Sequence, residues 1–440
     1  MTPTDRPGTG RRKQRRAPGV DYADTIATHR GDTTGLTRRW TFLVPSAYAA
    51  GGIARTVFTT ANTLAERGHD VRILTLGRSS AEPKFRLDPR VELVALQDRY
   101  DPANPGKPRR ATKNDPQADP ALRELDRAES RLVDGAKKTF SALVDRLLRE
   151  QLEGRPPGVV VSTRPEFAVA AALWSDPGSV LLHQEHLSFV PRPEPLRAAL
   201  RDLALGRGPA RPIDALLTLT EADHERWTDY LGDTSVAPWL RTGVIPNPTP
   251  FQVGEPAPLE NKVVIAAGRL TAQKGFERLV DAWTPLATSH PDWQLRIYGD
   301  GQRWDDLNAQ VAAADVGDRI LMGGVTDQLE SELANSSIYA MSSRYEGLPM
   351  VLLEALSKGV PPVSFDCPEG PRQLIDDGVN GLLVPEGDVP ALTAGLRRLM
   401  DDAELRRRLG VRALDTARDY EAPAVADRWI ALAEEILADR

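Results

Sequence analysis

Trp40-Thr-Phe-Leu-Val44, then Pro-Ser, then Gly51-Gly52 opening a helix-spaced run to Arg67-Gly68, then Val71-Arg-Ile-Leu-Thr-Leu76: this stretch decides the fold. A short apolar run that ends at a proline and a glycine pair reads as strand, loop and helix start. Gly68 stops the helix, and Val71 to Leu76 is a second buried strand. Strands joined through a helix are parallel and take a right-handed crossover, so the chain opens as an α/β domain.

The alternation continues outward. Strands are predicted at Gly158–Ser162, Ser179–Leu182, Ile213–Leu217 and Thr242–Ile245, separated by helical stretches. From Ser79 to about Pro120 prolines and charges multiply and periodicity fades, which predicts a long connection without structure of its own. Beyond it Leu132, Ala136, Phe140, Leu143 and Leu147 recur at helical spacing and predict one long amphipathic helix from about Leu122 to Leu152. Residues 248–260 carry four prolines and a glycine and are read as a stiff interdomain linker. A second series comes after it, with strands at Lys262–Ala266, Gln294–Tyr298, Arg319–Met322, Ser337–Met341, Pro362–Phe365 and Leu382–Val384. The predicted organisation is a basic disordered arm (1–38), a first domain (39–247), the linker, and a second domain (261–419). A C-terminal helix (420–440) is a candidate to complete the first domain. Two doubly wound parallel sheets facing each other make a cleft, and open α/β sheets bind ligands at the carboxyl ends of their strands.

Composition removes several function classes. A chain of 440 residues exceeds one ordinary core, which supports two domains. A net charge of -6 argues against nucleic acid as the main substrate. The single cysteine, Cys367, can make neither an internal disulfide nor a thiolate cage, which fits a reducing, cytoplasmic setting. No apolar run reaches a membrane-spanning length, and no apolar segment follows Arg11, Arg12, Lys13, Arg15 and Arg16 before Trp40. That basic arm reads first as a solvated tail and second as a peripheral tether to an anionic membrane face.

The chemistry concentrates in the second half. Ser343-Arg-Tyr-Glu346-Gly-Leu-Pro-Met-Val-Leu-Leu-Glu354 is a strand-to-loop-to-helix passage. Gly347 and Pro349 mark where its helix begins, so Glu346 stands in the loop and Glu354 projects from the helix toward the same opening. A carboxylate can satisfy both hydroxyls of a sugar or ribose diol. The plain alternative is a surface helix with ordinary glutamates. Gly268-Arg269-Leu-Thr-Ala-Gln-Lys274-Gly275 follows the first strand of this half, and two cations beside a helix N-terminus suit a diphosphate, with a solvated helix cap as the alternative. Opposite them, Gly51 and Gly52 let a phosphate or sugar approach the backbone, although a glycine pair alone is only a turn. Gly299-Asp-Gly301 has Trp304 where a dinucleotide fingerprint needs glycine, and neither a Walker-type loop nor an Asp-rich metal motif occurs.

Gly-Arg-Leu with Gln-Lys-Gly, Ile-Tyr-Gly-Asp-Gly, Ser-Ser-Arg-Tyr-Glu-Gly-Leu-Pro-Met-Val-Leu-Leu-Glu-Ala and Ser-Phe-Asp-Cys-Pro-Glu-Gly-Pro-Arg stand in this order between Val263 and Pro385. Together they resemble family 4 of the retaining glycosyltransferases, whose GT-B fold pairs two facing Rossmann-like domains. Asp366 to Arg372 looks like a branch acting on cell-surface polysaccharides, teichoic-acid-like polymers or lipid-linked glycans. The resemblance implies that Arg269 and Lys274 hold the diphosphate, Glu354 the ribose and Glu346 the donor sugar. The Gly347 and Leu348 backbone would touch the same phosphate and sugar, and the loop from about Gly324 through Val325 to Thr326 would frame the base. It also implies a Glu-His pair at the cleft, matched by Glu185-His186, with His186 in the pocket and His183 the weaker candidate. Glu346, Arg269, Lys274 and His186 are thus the expected catalytic set. Gln373 stands where this branch often has glutamate, which puts a charged role there in doubt.

The activity implied by the resemblance is transfer of a UDP-linked hexose or N-acetylhexosamine to a glycan, polyol-phosphate or lipid-linked acceptor, with retention and with no metal or cofactor. The Ser79–Pro120 stretch is the expected seat of acceptor choice. A GT-B epimerase or phosphorylase, and a catalytically silent nucleotide-sugar-binding protein, are the alternatives these residues leave open.

Overall fold

The structure is a computed structural model that describes residues 35–49, 51–102, 119–134, 140–314 and 316–440. Residues 1–34 of the predicted N-terminal arm, with Arg11, Arg12, Lys13, Arg15 and Arg16, lie outside the described residues. Two parallel sheets carry the fold. The first has seven strands: β1 (Arg39–Val44), β2 (Asp70–Arg78), β3 (Glu92–Asp98), β4 (Val159–Ser162), β5 (Val180–Gln184), β6 (Ala215–Thr218) and β7 (Arg241–Val244), in the order β3-β2-β1-β4-β5-β6-β7. Its helices are α1 (Gly52–Glu66), α2 (Pro120–Arg127), α3 (Ala142–Leu152), α4 (Pro165–Trp174), α5 (Glu194–Ala204) and α6 (Glu221–Leu231).

The second sheet has six strands: β8 (Val263–Ala267), β9 (Gln294–Tyr298), β10 (Ile320–Gly324), β11 (Ile338–Met341), β12 (Pro362–Asp366) and β13 (Leu382–Pro385), in the order β10-β9-β8-β11-β12-β13. Around them lie α7 (Phe276–Ser289), α8 (Trp304–Ala313), α9 (Leu329–Ala334), α10 (Met350–Leu356), α11 (Pro371–Leu374), α12 (Val389–Asp401) and α13 (Ala403–Arg418). Strands β4, β8 and β11 are buried at every residue, which is why they read as unbroken apolar runs. In both sheets the strand order reverses beside the first strand, between β1 and β4 and between β8 and β11. These are the topological switch points, where the carboxyl ends of parallel strands splay and leave a crevice.

A last helix, α14 (Ala422–Ala438), buries Val425, Trp429, Ala433 and Ile436 in the core of the first sheet, together with Trp40, Phe58 and Ile73. Two ion pairs hold its end there: Arg440 with Asp214 at 2.7 Å, and Arg241 with Glu435 at 3.1 Å. The stretch from 248 to 260 is irregular and pinned: Thr249 donates its amide to the Tyr420 carbonyl, and the buried Arg406 donates to the Leu259 carbonyl.

Two expectations are overturned. The connection after Ser79 is not structureless, because Glu92–Asp98 forms β3 and pairs in parallel with β2 from Arg72↔Glu92 to Arg78↔Asp98. As an edge strand it is only half-buried, with Leu93 against one core and Val94 and Leu96 against another, and its apolar signal is diluted by charged and proline neighbours. The single helix from Leu122 to Leu152 is two helices. Asp119 caps α2 at Ala121, Ser141 caps α3 at Val144, and between them Glu129 and Ser141 form an antiparallel bridge. A serine that satisfies an open helical amide starts a new helix even where apolar spacing runs through; Ala136 itself lies outside the described residues.

Because Trp429 is fully buried in a core shared by α14 and the first sheet, Trp429→Ala should destabilise the protein by about 3–5 kcal/mol. Denaturant unfolding followed by tryptophan fluorescence measures it; a loss under about 1 kcal/mol would show that α14 is not part of that core.

Candidate active site

Three loops at the carboxyl ends of β8, β11 and β12 are knitted into one surface. The loop from Gly268 to Gly275 leaves β8, and at its end Gly275 has φ +61, where a side-chain carbon would sit 2.4 Å from the Ser342 carbonyl oxygen. Only glycine fits so close a crossing with φ positive. The Gln273 carbonyl accepts from the Arg344 amide at 2.8 Å, and the Gln273 side chain donates to the Tyr345 carbonyl at 3.0 Å. Glu346 exchanges backbone hydrogen bonds with the loop after β12, through Pro368 at 2.8 Å and Glu369 at 3.2 Å.

Within this surface the buried carboxylate of Glu346 accepts from Lys274 Nζ at 2.7 Å and from Ser343 Oγ at 2.6 Å, both on Oε1. Arg269 is exposed on the same loop as Lys274 and, among the described residues, its guanidinium makes no ion pair or hydrogen bond. Leu348 is buried, while Gly347 is partly open and faces the first lobe, with Ser188 Oγ and the His186 carbonyl within 3.7 Å of where a side chain would begin. Gly324 ends β10 and the adjoining Val325 is 64% exposed, an apolar face held out beside the loop.

The first lobe meets this surface with the turn after β1 and the loop after β5. A side-chain carbon on Gly51 would meet nothing within 4 Å, and one on Gly52 only Met350 Cγ at 3.7 Å. Both turn glycines are exposed, so what they leave open is room beside the N-terminus of α1. His186 is partly buried; its Nε2 is buried without a partner, and loss of hydration pushes the ring down to about 3, so it is neutral. His183 lies deeper, fully buried, with Nδ1 2.9 Å from Ser162 Oγ. Glu185 is ion-paired with Arg192 and accepts from the Leu187 amide at 3.2 Å. Lys274, Glu346 and Arg269 thus stand together on one wall, with His186, Gly51 and Gly52 on the other.

The Glycosyl transferases group 1 family matches residues 251–415, and the Glycosyl transferase 4-like domain matches residues 51–248. The amylovoran biosynthesis glycosyltransferase AmsD of Erwinia amylovora is 30% identical over 286 residues, which cover 62% of this chain and 77% of AmsD. The chain belongs to family 4 of the glycosyltransferases. Another relative, an exopolysaccharide phosphotransferase of Streptomyces coelicolor, is 31% identical over 91% of this chain, which spans only 41% of that protein's length. Among solved structures, a TarM variant of S. aureus in complex with Fondaparinux, alpha-GlcNAc-glycerol and UDP superposes on 90% of the chain and 99% of its own, with a TM-score of 0.68 at 12% identity. That likeness is one of fold, GT-B.

In this family 4 glycosyltransferase the two lobes touch through polar groups that local sequence patterns do not reveal. Glu354 on α10 is fully buried, and Arg55 of α1 approaches its Oε1 to 3.0 Å from the other lobe. Neither carboxylate oxygen accepts a hydrogen bond among the described residues. Burial pushes Glu354 up to about 7, outweighing the attraction of Arg55; Glu330 pushes the same way and Lys274 opposes it. Ser188 Oγ donates to the Glu346 carbonyl at 3.1 Å, and Gln373 Oε1 accepts from the Glu221 amide at 3.1 Å, so the residue replacing a glutamate makes a neutral contact between lobes. Arg226 pairs with the buried Glu369 at 3.0 Å. Cys367 is buried and its thiol is pushed up to about 12, so it stays protonated. Among the described residues no helix is long and apolar enough to cross a membrane.

The Glu354 shift sets a pH dependence. Its folded value of about 7 lies above the ordinary 4.5, so the native state holds the proton more tightly. The associated stability is full below pH 4.5 and is lost as pH rises through 7. Relative to Glu354→Gln, the parent protein should therefore lose about 3 kcal/mol across that window. Urea melts at stepwise pH measure the difference, and a pH-independent gap between the two proteins would contradict it.

Proposed function

We propose that the protein transfers a hexose or N-acetylhexosamine from a UDP-linked donor, with retention and without a metal ion, to a glycan, polyol-phosphate or lipid-linked acceptor of the cell envelope. The observation that supports this most is the gathering of Lys274, Glu346 and an unpartnered Arg269 at the switch point of the second sheet, opposite the open glycine turn of the first. In this proposal the second lobe (261–419) binds donor, and the first lobe (39–247), completed by 420–440 across the 248–260 linker, presents acceptor at the inner membrane face.

Arg269 grips the diphosphate as a fork and Lys274 supplies a compact charge, so the leaving group is neutralised by side chains where other transferases use a metal. Glu346, oriented by Lys274 and Ser343, accepts hydroxyls of the donor sugar. Glu354 accepts the ribose diol, while the Gly347 and Leu348 amides meet phosphate and sugar. Gly324 and Val325 lie against the base, and the neutral His186 donates to or accepts from the sugar in the pocket. The acceptor hydroxyl attacks the face from which UDP departs, and its proton passes to the leaving phosphate. Relatives named for exopolysaccharide and amylovoran synthesis support a cell-surface product.

Thermal shift against a panel of nucleotide sugars identifies the donor, since a ligand at a hundred times its Kd adds about 2.7 kcal/mol. With that donor, Arg269→Ala should lower kcat by roughly 10²–10³-fold, and EDTA should leave the wild-type rate unchanged. A rate abolished by EDTA and restored by a divalent cation would refute the metal-free mechanism, and a near-normal Arg269→Ala would refute the role of that side chain.

A further inference from the structure

Arg55 is assigned no role by sequence or by kinship, yet its surroundings are built. It lies one turn into α1, immediately past the Gly51-Gly52 turn. Its guanidinium is held between two rings, 5.3 Å from the centroid of Phe85 in the first lobe and 4.9 Å from that of Phe251 beyond it. Stacking on aromatic faces fixes the plane of an arginine and lowers the entropy lost when it meets an anion. What it meets is Oε1 of Glu354, at 3.0 Å.

We propose that Arg55 is a positioning residue for the donor: reaching across the cleft, it holds the Glu354 side chain as a charged double acceptor for the ribose diol of the nucleotide. The proposal rests on Glu354 being the ribose ligand. Every other charged or titratable group facing that carboxylate is engaged or unhelpful. Lys274, from the loop after β8, is taken by Glu346 at 2.7 Å. Glu330 of α9 repels, although Lys358 neutralises it at 2.5 Å. The buried phenol of Tyr339 on β11 is neutral, held so by loss of hydration and by Glu346 and Glu354 themselves. Among the described residues Arg55 is thus the one cation whose ion pair is with Glu354.

A protonated carboxyl gives up part of its acceptor capacity and cannot receive both diol hydroxyls. A buried carboxylate that loses its cation keeps its proton to higher pH. Removing Arg55 should therefore blunt recognition of the ribose near neutrality, and alkaline pH should restore it. Neither lobe alone contains the complete ribose site, so donor affinity is tied to closure of the cleft.

The test uses the full chain and its variants R55M, R55K and E354Q, with UDP and 2′-deoxy-UDP as probes in calorimetry at pH 6, 7.5 and 9. Wild type should prefer UDP over the deoxy nucleotide by about tenfold or more at pH 7.5, the worth of one charge-assisted hydrogen bond. In R55M that preference should fall to roughly twofold at pH 7.5 and return by pH 9, while R55K keeps most of it. E354Q should lose it at every pH. With saturating donor, kcat of R55M should stay within about threefold of wild type while the donor KM rises, because a contact to ribose acts on binding. A preference in R55M equal to wild type at pH 7.5, or lost equally at pH 9, overturns the proposal; if R55M does not fold, the same loss in R55K at both values overturns it. A wild-type chain that binds neither nucleotide overturns the donor reading itself, an outcome visible before any variant is made.

Discussion

The structure of the cleft depends on one buried ion pair. Glu346 carries a charge 5% exposed to solvent, and an ionised carboxylate that deep is tolerable only with a cation and hydrogen-bond donors in place. Lys274 and Ser343 both converge on its Oε1, and its backbone is bonded to the loop after β12. The pair therefore joins three loops that lie far apart in the chain. Taking away Lys274 would leave an uncompensated buried charge among loops that backbone and Gln273 hydrogen bonds also hold together.

The two glutamates of the motif show how environment divides like residues. Glu346 has its cation, Lys274, within its own lobe. Glu354, eight positions on and more deeply buried, finds its cation only on the opposite lobe, and burial there prevails over attraction. One carboxylate is paired within its own lobe and the other meets its cation across the cleft. His186 on the facing loop stays neutral, its ring pushed down by loss of hydration.

Much of this is legible in residues close together in the chain. Val263–Ala267 and Ile338–Met341 are covered on both faces, so their apolar runs need no partner to be recognised. The crossing of Gly275 under Ser342 forces glycine at one position, and that leaves its mark in the motif. β3 escapes the sequence pattern because it is a half-buried edge strand whose short apolar run stands among charges and prolines; the break between α2 and α3 escapes it because one serine cap outweighs an uninterrupted apolar stripe. Arg55 is hidden for another reason. It is an ordinary helix arginine until Glu354, Phe85 and Phe251 are brought to it by the fold, and no local spacing encodes a meeting across some three hundred residues.

Many of the contacts across the cleft are ionic or single hydrogen bonds: Arg55 with Glu354, Arg226 with Glu369, Ser188 with the Glu346 carbonyl, Glu221 with Gln373. The large apolar clusters lie mostly within each sheet and its helices, α14 included, although Leu219 of the first lobe joins the cluster of the second lobe that holds Leu348 and Leu374. An interface made of polar pairs gains little when it forms, because each pair exchanges hydration for a partner of similar worth. Asp223, buried near Glu369 of the opposite lobe, is pushed up to about 8 by loss of hydration and by that neighbour. Closing thus desolvates carboxylates that an open cleft would leave in water, a cost that offsets part of what the contacts contribute. Apolar burial thus holds each sheet to its own helices, while polar pairs make up much of the seam between the lobes.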